Sequence, residues 1–443
     1  MQPAPGARIV LLLLPLALGG CGLGWLGGDE EDPPLQGERQ SVMLIDSTLQ
    51  ADPALAASPL VLPPVRTNAE WPQTGGDASH SLVHVALDGN LGQDWRADVG
   101  RGNSMTSRLT GQPVVDNGVV YVTDATAEVQ AFNLVNGEQL WSRQFDLDSD
   151  RRLGAGLAAS GGGVFVATAA GEVAAIDGQS GEVIWSTDVG APIRAAPTLV
   201  GRIVLVITAD NQTFALDAVS GSQLWVHQGF AEAAAILGGA SPATTDGLVV
   251  VPYSSGEVYG LILETGEPIW LDAVQRPQRT VAVGQIADIR ASPVIDPSGR
   301  VIVAGHGGEI AALDLQTGRR LWDQRLATAE TPWVAGEVVF VVTTEREVVA
   351  LDMTTGGIRW ATQLQRFRRP EDPESGRLYW TAPILAGSRL LVAGSRGELA
   401  ILSPGTGAVV EMIEIADGVT LPPVVADGRL MLLDDNGVLN VYR

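Results

Sequence analysis

The chain has no lysine; all 28 basic residues are arginine. Schiff-base chemistry and a phosphate-loop lysine are therefore excluded. Cysteine occurs once, as Cys21, so no intrachain disulfide can form and no multi-cysteine zinc site exists. Positive charge is scarce: 51 acidic residues leave a net charge of −23, which disfavours a nucleic-acid partner. No long apolar run is present either. Ile9–Leu18 is interrupted by Pro15 and falls short of the roughly 20 residues a spanning helix needs. What is abundant is glycine, 53 residues, in a chain of 443 that is 45 % hydrophobic. That composition indicates a turn-rich, all-β globular protein with room for a large core.

The N-terminus is an address. Arg8 precedes the apolar Ile9–Leu18 stretch, which ends in Leu18-Gly19-Gly20-Cys21. A short positive region followed by a short apolar one is a secretory signal. The last four residues resemble the bacterial lipobox, with Cys21 as the lipidated first residue of the mature chain, and Gly22 after it favours the outer membrane. Residues 1–20 are thus expected to be signal peptide. Residues 21–68 are expected to be a largely extended tether: Asp29-Glu30-Glu31-Asp32-Pro33-Pro34 is a solvated run, and Val61-Leu62-Pro63-Pro64-Val65 is held extended by its prolines. Gly22-Leu23-Gly24-Trp25-Leu26-Gly27 matches a dinucleotide fingerprint only in letters, since it follows no strand and opens no helix.

From residue 69 the chain is periodic. Ala175-Ile176-Asp177, Gly181 and Trp185 recur as Ala215-Leu216-Asp217, Gly221 and Trp225, then as Asp314, Gly318 and Trp322, then as Asp352, Gly356 and Trp360. Weaker copies end at Trp141 and Trp270, and one ends at Glu411 without tryptophan; successive end points lie 38 to 52 residues apart. Each copy follows short β-branched runs separated by glycine turns, as in Gly299–Gly305 and Gly308–Asp314. This is the blade period of a β-propeller. The aspartate accepts turn hydrogen bonds, the glycine permits positive φ, and the tryptophan packs between neighbouring blades. The last unit, 422–443, lacks its turn and outer strand, while Leu91–Val99 around Trp95 has the form of that strand. Pairing the two ends removes an exposed sheet edge. The expectation is an eight-bladed propeller of four-stranded antiparallel blades over residues 69–443, closed by an N-terminal strand and jointed by Trp95, Trp141, Trp185, Trp225, Trp270, Trp322 and Trp360.

Catalytic and metal-binding patterns are weak. His80 and His84 stand at i, i+4, but no glutamate follows His80 and the segment precedes a strand, so hydrogen-bonded histidines are expected, not a zinc site. Asp146-Leu147-Asp148-Ser149-Asp150 begins like a calcium loop, yet the sixth position is Arg151 and the twelfth is Leu157. No Gly-x-Ser-x-Gly elbow occurs, and His227 and His306 stand alone. No cofactor or metal is expected.

The repeat resembles the pyrroloquinoline-quinone type of propeller. Lipobox, tether, the segment Trp71-Pro72-Gln73-Thr74-Gly75-Gly76, eight blades and the abrupt Tyr442-Arg443 end together resemble the BamB family of lipoproteins. The resemblance implies a non-catalytic scaffold of the outer-membrane β-barrel assembly (BAM) complex. It would be lipid-anchored on the periplasmic face and bind the POTRA domains of BamA. Family contacts lie on two inter-blade connections, which fall here at Val226–Ser241 and Leu271–Ser292. The matching positions are Ala234, Ile236 and Leu237 before Gly238, and Asp288 and Arg290 before Ala291-Ser292-Pro293. Leu237 stands where the family carries arginine, and Arg290 where it carries a second acid. Two alternatives are a pyrroloquinoline-quinone-dependent dehydrogenase, whose adjacent-cysteine disulfide is impossible here, and another periplasmic ligand-binding propeller.

Overall fold

The computed structural model describes residues 49–147, 152–230, 238–274 and 289–443. Eight four-stranded antiparallel sheets follow one another along the chain. We number them as blades 1 to 8: 114–144, 156–188, 198–228, 243–273, 294–325, 333–363, 384–414, and 424–442 completed by Gln93–Asp98. The expected closure is present. Gln93–Asp98 runs antiparallel to Val438–Tyr442, with Trp95 opposite Val441 and Asp98 opposite Val438.

Within each blade the burial pattern follows strand order. First strands such as Val114–Asp116 and Trp333–Ala335 are buried throughout. Fourth strands such as Gln139–Gln144 and Val183–Asp188 alternate exposed and partly buried residues, as a rim strand with one wet face must. Between them lie Val- and Leu-rich second and third strands, for instance Val338–Val342 and Glu347–Asp352, buried on both faces between neighbouring blades.

The repeated signature is a joint between blades. Every tryptophan on a fourth strand donates its indole N–H to a carbonyl in the turn of the next blade: Trp95 to Leu134, Trp141 to Gly178, Trp185 to Ala218, Trp225 to Leu263, Trp270 to Leu315, Trp322 to Met353 and Trp360 to Pro404, all at 2.7–3.0 Å. The same ring lies on the turn glycine of that next blade; Trp185 covers Gly221 and Trp322 covers Gly356, both at φ +71°. Indole burial is thus achieved with its one donor satisfied. The turn aspartates cap their own loops, Asp177 accepting from the Gln179 and Ser180 amides. Within a blade, each tryptophan from Trp141 to Trp360 pairs across the sheet with alanine or glycine, as in Trp185 opposite Ala175 and Trp270 opposite Gly260. At Glu411 the partner is Ile401.

Blade 7 lacks its tryptophan because blade 8 has nothing to receive it. Blade 8's third and fourth strands come from opposite ends of the chain, so no glycine turn links them; instead Gly92 and Arg443 exchange backbone hydrogen bonds. Arg389 of blade 7 donates to the carbonyls of Asp88 and Gly89 in this connection, and the Glu411 carboxylate acts on the same guanidinium.

Packing against the ring reaches back to Leu49, some 20 residues before the boundary expected at 69. The Leu49 amide bonds the Glu347 carboxylate, the Asp52 amide bonds the Ile358 carbonyl, and Leu60 and Leu62 lie against the main core. A four-residue helix, Pro53–Ala56, is capped by Asp52. The reason is burial: Leu49, Leu60 and Leu62 supply apolar side chains to an otherwise wet rim and end of the ring. Cys21 lies outside the described residues.

Candidate functional site

The segment that follows this strap fills the centre of the ring. Asn68 holds the Val425 carbonyl of blade 8, and Trp71 exchanges two backbone bonds with Val115 of blade 1. The Pro72 carbonyl takes the Ala159 amide of blade 2. The Gln73 side chain brackets Leu199 of blade 3, accepting from its amide and donating to its carbonyl. Ala78 and Ser79 accept from Thr244 and Ile295 of blades 4 and 5; Val83 accepts from the Trp333 indole of blade 6; Val85 bonds Leu385 and Gly387 at blade 7. One short segment touches every first strand, so those strands converge on the axis and residues 68–85 form a girdle around it.

The histidines belong to this girdle. His80 Nδ1 lies 2.7 Å from the Pro293 carbonyl, and His84 Nδ1 2.7 Å from the Pro63 carbonyl, while His84 Nε2 accepts the Ser388 amide. Each ring is buried and engaged separately, so the pair does not converge on a metal. Burial holds His80 below the ordinary imidazole value, against the opposing pull of the Pro293 carbonyl and Asp77. His227 stacks on Tyr253 and bonds its hydroxyl at 2.8 Å. Burial lowers His227 and raises Tyr253, so it favours the uncharged form of both rings. Among the described residues no group of three His, Cys, Asp or Glu side chains could hold a metal ion. Of the calcium-like run, residues 148–151 lie outside the described residues.

The two connections singled out in the sequence leave the same end of the ring from adjacent blades. The first is rooted at Gly229 and Phe230: Gly229 donates to the Asn211 carbonyl, the Phe230 amide bonds the Glu257 carboxylate, and the Phe230 carbonyl accepts from the Asn211 side chain. The second starts at Val274, whose amide bonds the Gly256 carbonyl. Their far ends are joined, since the Ser241 amide donates to Ser292 Oγ and the Ser292 amide to Thr331 Oγ1. Ile236, Leu237, Ala234 and Asp288 lie outside the described residues. Arg290 is described: it is exposed and stands against Gly238 near the end of the first connection, so the two connections meet there. Burial pushes the Glu330 carboxyl up, with Arg290 and the Ala382 amide pulling it back.

Sequence reasoning missed the apolar rim beside these roots. Leu224 and Val226 of blade 3, Ile269 and Leu271 of blade 4, and Phe230, which is 66 % exposed, all face outward. The signal was present in Gln223-Leu224-Trp225-Val226 and Pro268-Ile269-Trp270-Leu271, where the residues flanking tryptophan point away from the joint. Fourth strands of other blades also expose apolar residues, such as Leu140, Ile184 and Val410, and Phe230 adds to the patch at these roots. Glu330 was missed as well, because nothing in its surroundings along the chain reveals that the charge of Arg290 acts on it.

Fold and joints together define an eight-bladed propeller of the quinoprotein-like repeat class. The sequence profile of the family described as outer membrane protein assembly factor BamB matches residues 85–150 and 125–362. The chain belongs to that family. BamB of Escherichia coli is 27 % identical over 354 residues, 78 % of this chain and 87 % of that protein. BamB of Legionella pneumophila is 28 % identical over 352 residues, 79 % and 87 % of the two chains. The crystal structure of BamB from Moraxella catarrhalis superposes with a TM-score of 0.68 at 21 % identity, covering 80 % of this chain and all of that one. A quinohemoprotein alcohol dehydrogenase from Comamonas testosteroni gives 0.65 at 14 % identity, covering 84 % and 80 %. That likeness is one of fold alone.

Proposed function

We infer that the protein is a scaffold subunit of the outer-membrane β-barrel assembly complex and aids insertion of β-barrel proteins. The observation that carries this reading is membership of the BamB family across the blades, on a ring that spans the whole of a solved BamB chain. The relatives are named as outer membrane protein assembly factors, which supports a scaffold role. The finer reading is that Cys21 carries the lipid that holds the chain at the periplasmic face of the outer membrane. No helix among the described residues is long and apolar enough to cross a membrane. The partner is the POTRA region of BamA, and the contact is made by the two connections that meet at Arg290. Ile236 and Leu237 form its apolar centre; Asp288 and Arg290 flank them. Anchors near an interface centre typically cost about 2 kcal/mol or more on truncation, rim charges less.

Co-purification from detergent-solubilised outer membrane tests the reading. The unaltered chain is expected to recover a BamA-like barrel. Ile236→Asp combined with Leu237→Asp is expected to abolish recovery at an unchanged melting temperature, and Asp288→Arg to weaken it. Full recovery by a folded double variant would move the interface elsewhere on the ring.

A further inference from the structure

The girdle poses a problem of assembly. The first strand of a blade is an edge strand, and its free edge faces the axis, where backbone N–H and C=O groups are costly if unpaired. The girdle satisfies one such backbone group or more on seven of the eight blades. The Val115, Ala159, Leu199, Thr244, Ile295, Gly387 and Asp427 amides all end on it, and blade 6 joins through the Trp333 indole. The stations are used in chain order: Asn68 serves blade 8, then Trp71, Pro72, Gln73, Ala78, Ser79, Val83 and Val85 serve blades 1 to 7 in succession. Non-glycine residues at positive φ, His80 at 59° and Val83 at 64°, turn the segment through its circuit. Both ends leave near the same side of the ring, Arg66 pairing with Val85 and Val85 with Ala386.

Two orders of assembly are compatible with this geometry. The ring could close first and receive the girdle as an inserted loop, or the girdle could come first. Ring closure joins Trp95 to Val441, 346 residues apart, whereas the girdle contact with blade 1 joins Trp71 to Val115, 44 residues apart. The entropy of loop closure favours the shorter contact, and long-range pairing is slow unless earlier contacts have shortened the effective loop. First strands of two to five residues are also too short to hold their position at the axis before something pairs with their inner edge.

We propose that residues 68–85 are the assembly template of the ring. Blades 1 to 7 dock their first strands on successive girdle stations as they form, and pairing of Gln93–Asp98 with Val438–Tyr442 is the last event. The girdle sets the order of docking and the number of blades admitted before closure.

Pulsed hydrogen exchange during refolding of the mature full-length chain from urea tests this. The amides of Ala159, Leu199, Thr244 and Ile295 are expected to gain protection before the closing-strand amides of 93–98 and 438–442. Late protection of the four, after closure, would overturn the proposal in favour of insertion into a finished ring. A kinetic pair gives a second readout. Gln73→Ala removes both bonds to Leu199 and is expected to slow refolding at least tenfold while changing unfolding less than twofold. Trp360→Ala, at the late joint between blades 6 and 7, is expected to act mainly on the unfolding rate. Equal partition of the two variants, or a Gln73→Ala effect confined to unfolding, would refute the template. The exchange order, read on the unaltered chain, decides the matter if either variant fails to fold.

Discussion

Gly221 stands at φ +71° beneath the Trp185 ring, so an added methyl group would both strain the backbone and overlap the indole. Gly201, at φ +56°, opens onto free space. Gly201→Ala is therefore expected to cost about 1 kcal/mol, from backbone strain alone, and Gly221→Ala about 2–4 kcal/mol, because a joint is pried open as well. Urea unfolding of the two variants measures the difference; equal losses would mean the tryptophan yields without cost. Glu330 supports a second prediction at this scale. Its carboxyl is raised by burial. For an acid whose folded value exceeds the unfolded one, stability is greatest below the unfolded value and declines as pH rises through the interval to the folded value. Glu330→Gln keeps an oxygen for the Ala382 amide and removes the buried charge. The variant is expected to melt higher than the parent at pH 7 and to match it near pH 4. A lower melting temperature at pH 7 would mean that the attraction to Arg290 outweighs desolvation.

At the scale of the element, the joint has two halves, and both are written locally. The tryptophan and the turn glycine recur in one repeat, so the eight blades and their seams were legible from the sequence. Glu411 shows how closely the halves are matched: where blade 8 offers no turn, the tryptophan is gone and its cross-strand alanine has become Ile401. Trp360→Ala is expected to cost about 3–5 kcal/mol, as removal of a large buried aromatic does. Glu411→Trp is expected to give no gain and to lose stability, since the new ring meets Ile401 and has no glycine to cover. A stabilised Glu411→Trp chain would show that the seam between blades 7 and 8 holds unused space. The girdle, by contrast, was not legible. Its contacts are made largely by backbone groups and by the side chains of Asn68 and Gln73, which leave no period and no apolar pattern for the eye to follow. The strap was legible only in part for a related reason: prolines at 63 and 64 mark an extended segment but do not say what it lies against. Of the candidate site, the length and place of the two connections could be read, while their meeting at Arg290 and Gly238 and the rooting on Asn211 and Glu257 depend on residues far apart in the chain.

At the scale of the whole molecule, the full chain carries a net charge of −23, and no helix among the described residues is long and apolar enough to cross a membrane. On the reading proposed above, a lipid on Cys21 supplies the membrane affinity, because acyl chains partition into the bilayer. Cys21→Ala is expected to move the protein from the outer-membrane pellet to the soluble fraction. Persistence in the pellet would mean that protein contacts alone retain it. The same scale explains why the fold does not reveal the activity. The superposition on a quinohemoprotein dehydrogenase is nearly as good as that on a BamB chain, and what separates them is the family profile, not the architecture.

Propellers grow by duplication of a blade-sized unit, and nothing in a joint of tryptophan on glycine limits how many copies are strung together. The girdle does impose a limit. A ninth copy would bring an inner edge with no residue to meet it, and loss of one would leave a stretch between Asn68 and Val85 with bonds unmade. A gene that gained or lost one repeat would have to revise, at the same time, a segment encoded upstream of every repeat, blade 8's closing strand included. Copy number in this lineage is thereby tied to eighteen residues that are not themselves part of any copy.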